Sequence, residues 1–255
     1  MDFLKKAGLV SISFRKNTVS EIASAVTAAG LSYVEWGSDV HAKKDSTTAL
    51  FNIAEIQKET GIKCSSYGTY FKLGMNDTDE LYAYADAANI LGTNVIRIWA
   101  GNRDARDMDY AEKLRLFGDI KKAAKIAEER NVTFCFECHD RTYVSEINSA
   151  LALLDYAQSD KIAMYWQPNQ FRSLETNLEY AQRIAPYAKV IHVFNWEGNG
   201  RFPLAESVET WKKYLCLFGN SLEKNDVKFL LEFMPDDRIE TLTTEAQALR
   251  DILRY

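Results

Sequence analysis

Several apolar runs of this chain lead to a side chain able to hold a cation or carry a proton. Phe134-Cys-Phe136 leads to Glu137, the run from Ile162 to Trp166 leads to Gln167, and Phe229-Leu-Leu231 leads to Glu232. His192 lies inside a fourth run, Val190-Ile-His-Val193. Two carboxylates and an imidazole suit a hard or borderline divalent cation such as Mg²⁺, Mn²⁺ or Zn²⁺. A cation holding a carbonyl oxygen and its neighbouring hydroxyl acidifies the carbon between them and stabilises the enediolate. A carboxylate on either face can then remove and return the proton. That is the minimal apparatus for ketose epimerisation or aldose–ketose isomerisation. Taken singly, a Glu after a strand is often a solvated loop carboxylate, and a strand His is more often a hydrogen-bonded core residue. Convergence is what singles these residues out, and it depends on the elements that carry them.

Short β-branched or aromatic runs alternate with longer helical patterns along the chain. Strands are expected to begin near Leu9 (LVSISF, to Phe14), Tyr33, Ile62 (IKCSSYG, to Gly68), Val95, Val132, Ile162, Val190 and Val227, at intervals of 24, 29, 33, 37, 30, 28 and 37 residues. Each interval holds one strand, one helix and two short loops. Thr18-Val-Ser-Glu21 reads as a capping box with Gly30 closing its helix, and Asp77 to Glu80 opens a second helix that Gly92 closes. Further helices are expected over 110–130, 145–156, 206–217 and 244–253, whereas 174–185 is less regular. Eight βα units predict a single (β/α)₈ barrel, an α/β fold over residues 1–255. A doubly wound open sheet is the runner-up, but it would not need eight evenly spaced strands, and neither a Walker loop nor GxGxxG occurs.

In such a barrel the working residues sit at the C-terminal ends of the strands. Alternation sends Phe134, Phe136 and Trp166 toward the helices, and Thr133, Cys135 and Glu137 toward the lumen. The same parity places Lys228, Leu230 and Glu232 inside. Arg97 and Trp99 share a face of the fourth strand; a lumen Arg must be paired, and Glu35 in the second strand is a candidate partner.

Composition narrows the function classes. The 255 residues carry a net charge of −5, with 47% hydrophobic and 26% charged residues and only 12 Gly and 4 Pro. This is ordinary globular composition, and it argues against disorder and against a broad nucleic-acid-binding surface. The run from Ala7 to Phe14 is too short to span a membrane and lacks a cleavage site. Cys135 and Cys138 form a CxxC within a strand-like run, where positions i and i+3 face opposite sides. The four cysteines therefore read as reduced structural thiols of a cytoplasmic protein.

The segments Val34 to Ala42 (VEWGSDVHA), Val95 to Gly101 (VIRIWAG), Phe136 to Glu146 (FECHDRTYVSE), Ile191 to Trp196 (IHVFNW) and Leu230 to Phe233 (LLEF) together resemble the sugar phosphate isomerase/epimerase family of xylose isomerase-like TIM barrels. The resemblance spans nearly the whole chain. It implies one divalent metal held by Glu137, Gln167, His192 and Glu232, with Glu137 and Glu232 doubling as acid/base groups. Gln167 departs from the pattern, since the family has Asp there with His three residues later, where this chain reads Gln167-Pro-Asn-Gln170. The formal ligand charge falls from −3 to −2, which implies weaker retention and favours Mn²⁺ or Mg²⁺ over Zn²⁺. The resemblance also implies that His41 hydrogen-bonds a sugar hydroxyl; from the residues themselves, Trp99 at a strand end suits stacking on a sugar ring, the loop after the seventh strand offers the cation Arg201, and His139 shares the parity of Glu137. Arg201 would meet a phosphate or carboxylate of a small-molecule sugar or sugar phosphate. A keto-polyol dehydratase and a non-catalytic sugar-binding barrel are alternatives on the same scaffold. Three histidines are too few for the metal cluster of the related apurinic endonucleases. No nucleic-acid or membrane partner is expected, and a homo-oligomer is compatible with the sequence.

Overall fold

The structure, a computed structural model, describes residues 3–254. Eight parallel strands close into a barrel in chain order, the last pairing back onto the first. They are β1 (Ala7–Val10), β2 (Tyr33–Gly37), β3 (Lys63–Leu73), β4 (Val95–Ala100), β5 (Thr133–Glu137), β6 (Ile162–Trp166), β7 (Ala188–Val193) and β8 (Lys228–Leu231). The flanking helices are α1 (Val19–Ala28), α2 (Thr47–Thr60), α3 (Glu80–Leu91), α4 (Tyr110–Arg130), α5 (Ile147–Ala157), α6 (Leu174–Ile184), α7 (Val208–Phe218) and α8 (Leu242–Leu253). The expected (β/α)₈ barrel is therefore the fold. Among the described residues no helix is long and apolar enough to cross a membrane.

Strand alternation divides the apolar side chains into two groups. Phe134, Phe136, Met164, Trp166, Ile191, Phe229 and Leu231 belong to the large core between strands and helices. Val10, Cys135, Ala163, Tyr165, Val190 and Leu230 fill the lumen. This is the parity that sends Glu137, Gln167, His192 and Glu232 inward. Trp166 packs edge-on against Trp211, Tyr214 and Phe218, on the helix side as expected.

Three local expectations are corrected. The first strand stops at Val10, and Ser11–Phe14 is one turn of 3₁₀ helix. The two serines explain the stop: Ser11 Oγ accepts from the Gly37 amide at 2.9 Å, and Ser13 Oγ accepts from the Phe233 amide at 2.8 Å. Hydroxyls thus satisfy backbone donors on both sides where the ladder would otherwise continue. The third strand runs on to Leu73, past the expected end near Gly68. The less regular stretch from Leu174 is an ordinary helix capped by Ser173, whose Oγ accepts from the Thr176 amide at 3.3 Å. Its inward face includes Asn177, paired twice with Asn169, and this polar residue interrupts the apolar stripe. The capping box of Thr18 and Glu21 forms as the sequence predicts, as does α4 from Tyr110 to Arg130.

Candidate metal centre

Glu137 is the last residue of β5, Gln167 follows β6, His192 lies in β7 and Glu232 follows β8, so four adjacent strands deliver one side chain each. All four are buried, from 0% exposure for His192 to 8% for Gln167. One ligand atom each from Glu137, His192 and Glu232 lies within 4.8 Å of the others. His192 Nδ1 is 3.0 Å from Gln167 Oε1, 3.5 Å from Glu232 Oε2 and 3.6 Å from Glu137 Oε1. One nitrogen and three oxygens thus face one another, a donor set that fits a divalent cation of the Mg²⁺, Mn²⁺ or Zn²⁺ kind. The Gln167 backbone is fixed by Cys138, whose Sγ accepts its amide at 3.2 Å. Burial pushes that thiol up to about 12, so it remains protonated. All four cysteines are free.

A second set of charged side chains adjoins these four. Arg97 Nη1 is 3.4 Å from Glu35 Oε1 and 3.3 Å from Glu137 Oε2, so the expected Arg97–Glu35 pair is present and has a further member. Trp99 Nε1 donates to the same Glu137 oxygen at 2.7 Å. Oε2 of Glu137 is therefore engaged by Arg97 and Trp99, while Oε1 faces His192. Burial opposes ionisation of Glu137, but Arg97 and His192 outweigh it and hold the carboxyl well below its usual value. Glu35 is lowered in the same way: burial raises it, and Arg97 and His192 more than offset that. Burial would lower His192, yet Glu232, Glu137 and Glu35 around it raise it well above the ordinary imidazole range.

Of the other residues singled out in the sequence, Trp99 and His139 adjoin this centre through Glu137, and His41 and Arg201 have other partners. The His139 ring stacks on Trp99 at 4.8 Å between centroids, and its Nδ1 lies 2.7 Å from the Asp140 carbonyl. His41 lies after β2, with Nδ1 3.0 Å from Ser11 Oγ and Nε2 3.2 Å from the Asn17 carbonyl. Burial holds its pKa below the usual imidazole value. Arg201 is ion-paired with Asp237 and lies over the rings of Phe233, at 4.6 Å, and Trp196, at 5.3 Å. A cleft of about 300 Å³ is lined by residues that include Ser13, Arg15, Lys16, Arg201, Phe233 and Asp237. His41 and Arg201 thus bond to residues other than Glu137, Gln167, His192 and Glu232. Sequence reading paired Glu35 with Arg97 but missed its approach to His192; lumen parity puts both side chains inside the barrel but does not specify that they meet.

A family model described as xylose isomerase-like TIM barrel matches residues 23–198. No match to a curated protein sequence was found. Among solved structures, the chain is similar to the probable 3-DHS dehydratase AsbF of Bacillus anthracis, with 16% identity over 96% of this chain and 98% of that one, at a TM-score of 0.79. It is also similar to IolI with a bound zinc atom, at 15% identity over 97% and 98% and a TM-score of 0.74. A D-psicose 3-epimerase determined in the presence of D-fructose matches at 14% identity over 96% of each chain, with a TM-score of 0.68. At these identities the structural likeness speaks for the fold alone.

Proposed function

The chain belongs to the xylose isomerase-like TIM barrel family, and on that premise we propose that it is a metal-dependent isomerase or epimerase of a ketose or ketose phosphate. The observation that carries this reading is the convergence of Glu137, His192 and Glu232 with Gln167 at the C-terminal mouth of the barrel. Mn²⁺ or Mg²⁺ suits this oxygen-rich set, with its two formal negative charges, better than Zn²⁺. A bound divalent cation would polarise a carbonyl and its neighbouring hydroxyl, acidifying the carbon between them.

The chain's own residues supply the rest. Arg97 and Trp99 engage Glu137 Oε2 and hold the residue as a carboxylate, the form able to accept a proton, with Oε1 turned toward His192. Glu232, from the far side of the ligand group, would return the proton to the opposite face of the carbon in an epimerisation. The solvent-shielded lumen strengthens both interactions.

The test is deuterium exchange from solvent at the carbon beside the carbonyl, with added Mn²⁺. The panel is D-fructose, D-psicose, their phosphates and 3-DHS. Exchange with recovery of an isomeric sugar is expected, and Glu137→Gln or Glu232→Gln should abolish it. Exchange that proceeds undiminished in both variants would remove the mechanism. Water loss from 3-DHS in place of sugar interconversion would move the protein to the dehydratases, which begin with the same proton abstraction. Sugar binding without exchange would make it a binding module.

A further inference from the structure

Glu35 has no place in the chemistry above, yet it is fully buried in the lumen and the molecule is built around it. Ser66 Oγ donates to its Oε2 at 3.0 Å. Arg97 stands 3.4 Å from its Oε1. On β3 the position facing it is Gly68, where any Cβ would collide with the Glu35 carboxylate. Burying this pair is costly, because Arg97 Nε and Nη2 and Glu35 Oε1 have no hydrogen-bond partner. Apolar residues of similar size would serve the core better, so the pair points to a role beyond packing.

That role follows from the two nitrogens of His192. Nδ1 faces Gln167, Glu137 and Glu232, whereas the only polar side-chain atom given to Nε2 among the described residues is Glu35 Oε2, at 3.5 Å. An imidazole that ligates through Nδ1 carries its proton on Nε2, and that proton needs an acceptor to fix the tautomer and the ring. The Tyr165 ring, edge-on to His192 at 5.2 Å and 89°, bounds the ring plane. We propose that Glu35 is a positioning residue, accepting the Nε2 proton of His192 so that Nδ1 presents its lone pair to the metal. Arg97 is the counter-charge that keeps Glu35 in place and ties it to Glu137. The arrangement also supplies, one layer out, a carboxylate to a ligand set in which Gln167 brings none. The inference rests on the reading of Glu137, His192 and Glu232 as metal ligands.

The experiment measures Mn²⁺ binding by calorimetry to the full chain and to Glu35→Gln and Glu35→Met. Outer partners of this kind are worth about 10- to 100-fold in metal affinity. Glu35→Met, which has no acceptor, should lose about that much, while Glu35→Gln, which keeps a carbonyl oxygen, should lose less. A role in packing alone would leave the affinities equal. The unaltered protein, labelled with ¹⁵N-histidine and loaded with Zn²⁺, gives a readout that needs no variant. His192 should show its proton on Nε2 with metal on Nδ1. A proton on Nδ1, or Mn²⁺ affinity in Glu35→Met equal to that of the unaltered protein, overturns the proposal while leaving the metal reading intact. Failure of the unaltered protein to bind Mn²⁺ or Zn²⁺ removes both.

Discussion

His192 is fully buried, but the three carboxylates around it keep its proton well above the ordinary imidazole value of 6.5. Without metal, that raised value means the charged ring stabilises the fold fully below pH 6.5, and the contribution is lost as pH rises through the folded value. A cation at Nδ1 must displace this proton, so apparent Mn²⁺ affinity should rise by about tenfold per pH unit across that window, with about one proton released per ion. Calorimetry in buffers of different ionisation enthalpy measures both; affinity independent of pH would count against His192 as a ligand. Trp99 acts on the partner oxygen. Trp99→Phe keeps an aromatic ring but removes the 2.7 Å donor from Glu137 Oε2. A hydrogen bond to the carboxylate favours the charged form, so its loss should raise the Glu137 pKa and move the acid limb of the kcat profile to higher pH if Glu137 moves the proton. A pH profile beside a thermal melt separates this shift from unfolding, and an unmoved acid limb would count against Glu137 as the base. The residue types at Glu137, His192 and Glu232 were readable from strand parity. The approach of Glu35 to His192 was not, because it joins β2 to β7 across the lumen, 157 positions apart in the chain.

The elements earn their positions by different means. Helix α4 is capped by Asp109 and Glu112 at one end and closed by Asn131 in the left-handed conformation at the other, and these local signals match its sequence boundaries. Helix α6 is less legible because Asn177 sits on its buried face, bonded to a loop that the sequence pattern does not reveal. Its cap is nonetheless ordinary, and Ser173→Ala should cost about 1 kcal/mol, read from the urea midpoint at unchanged slope. The end of β1 depends on tertiary partners. Ser13 Oγ accepts the amide of Phe233, the residue after Glu232, and so anchors the start of the β8 loop. Ser13→Ala would leave that amide without its acceptor at a cost of about 1–3 kcal/mol. Hydrogen exchange at the Phe233 amide should accelerate; unchanged protection there would show that the serine is not what holds the loop.

At the scale of the molecule the two ends of the barrel differ. A concavity of about 870 Å³ lies among the strand N-termini, lined by Lys58, Lys63, Lys189 and Lys228 with Asp226 as its one carboxylate. Helices α2, α3 and α4 end there, at Gly61, Gly92 and Asn131, and the lysines offset the negative ends of their dipoles. The opposite end carries Glu137, Gln167, His192 and Glu232, and a metal bound there should stabilise the whole fold through them. At a hundredfold excess over Kd, binding adds about 2.7 kcal/mol, which for a chain of this size is about 5–10 °C in melting temperature. The shift should appear with Mn²⁺ and vanish in Glu137→Gln; an equal shift in that variant would place the ion elsewhere. The sequence by itself determined the eight βα units, the lumen parity and the polar residues that the strand ends bring to the lumen, because periodicity and strand ends are local properties of the chain. Only the tertiary structure decided which oxygen of Glu137 is engaged, which nitrogen of His192 faces the ligands, and that Arg201 is neutralised by Asp237. Those depend on barrel closure, which sets strands far apart in sequence at bonding distance, and no local pattern encodes that distance.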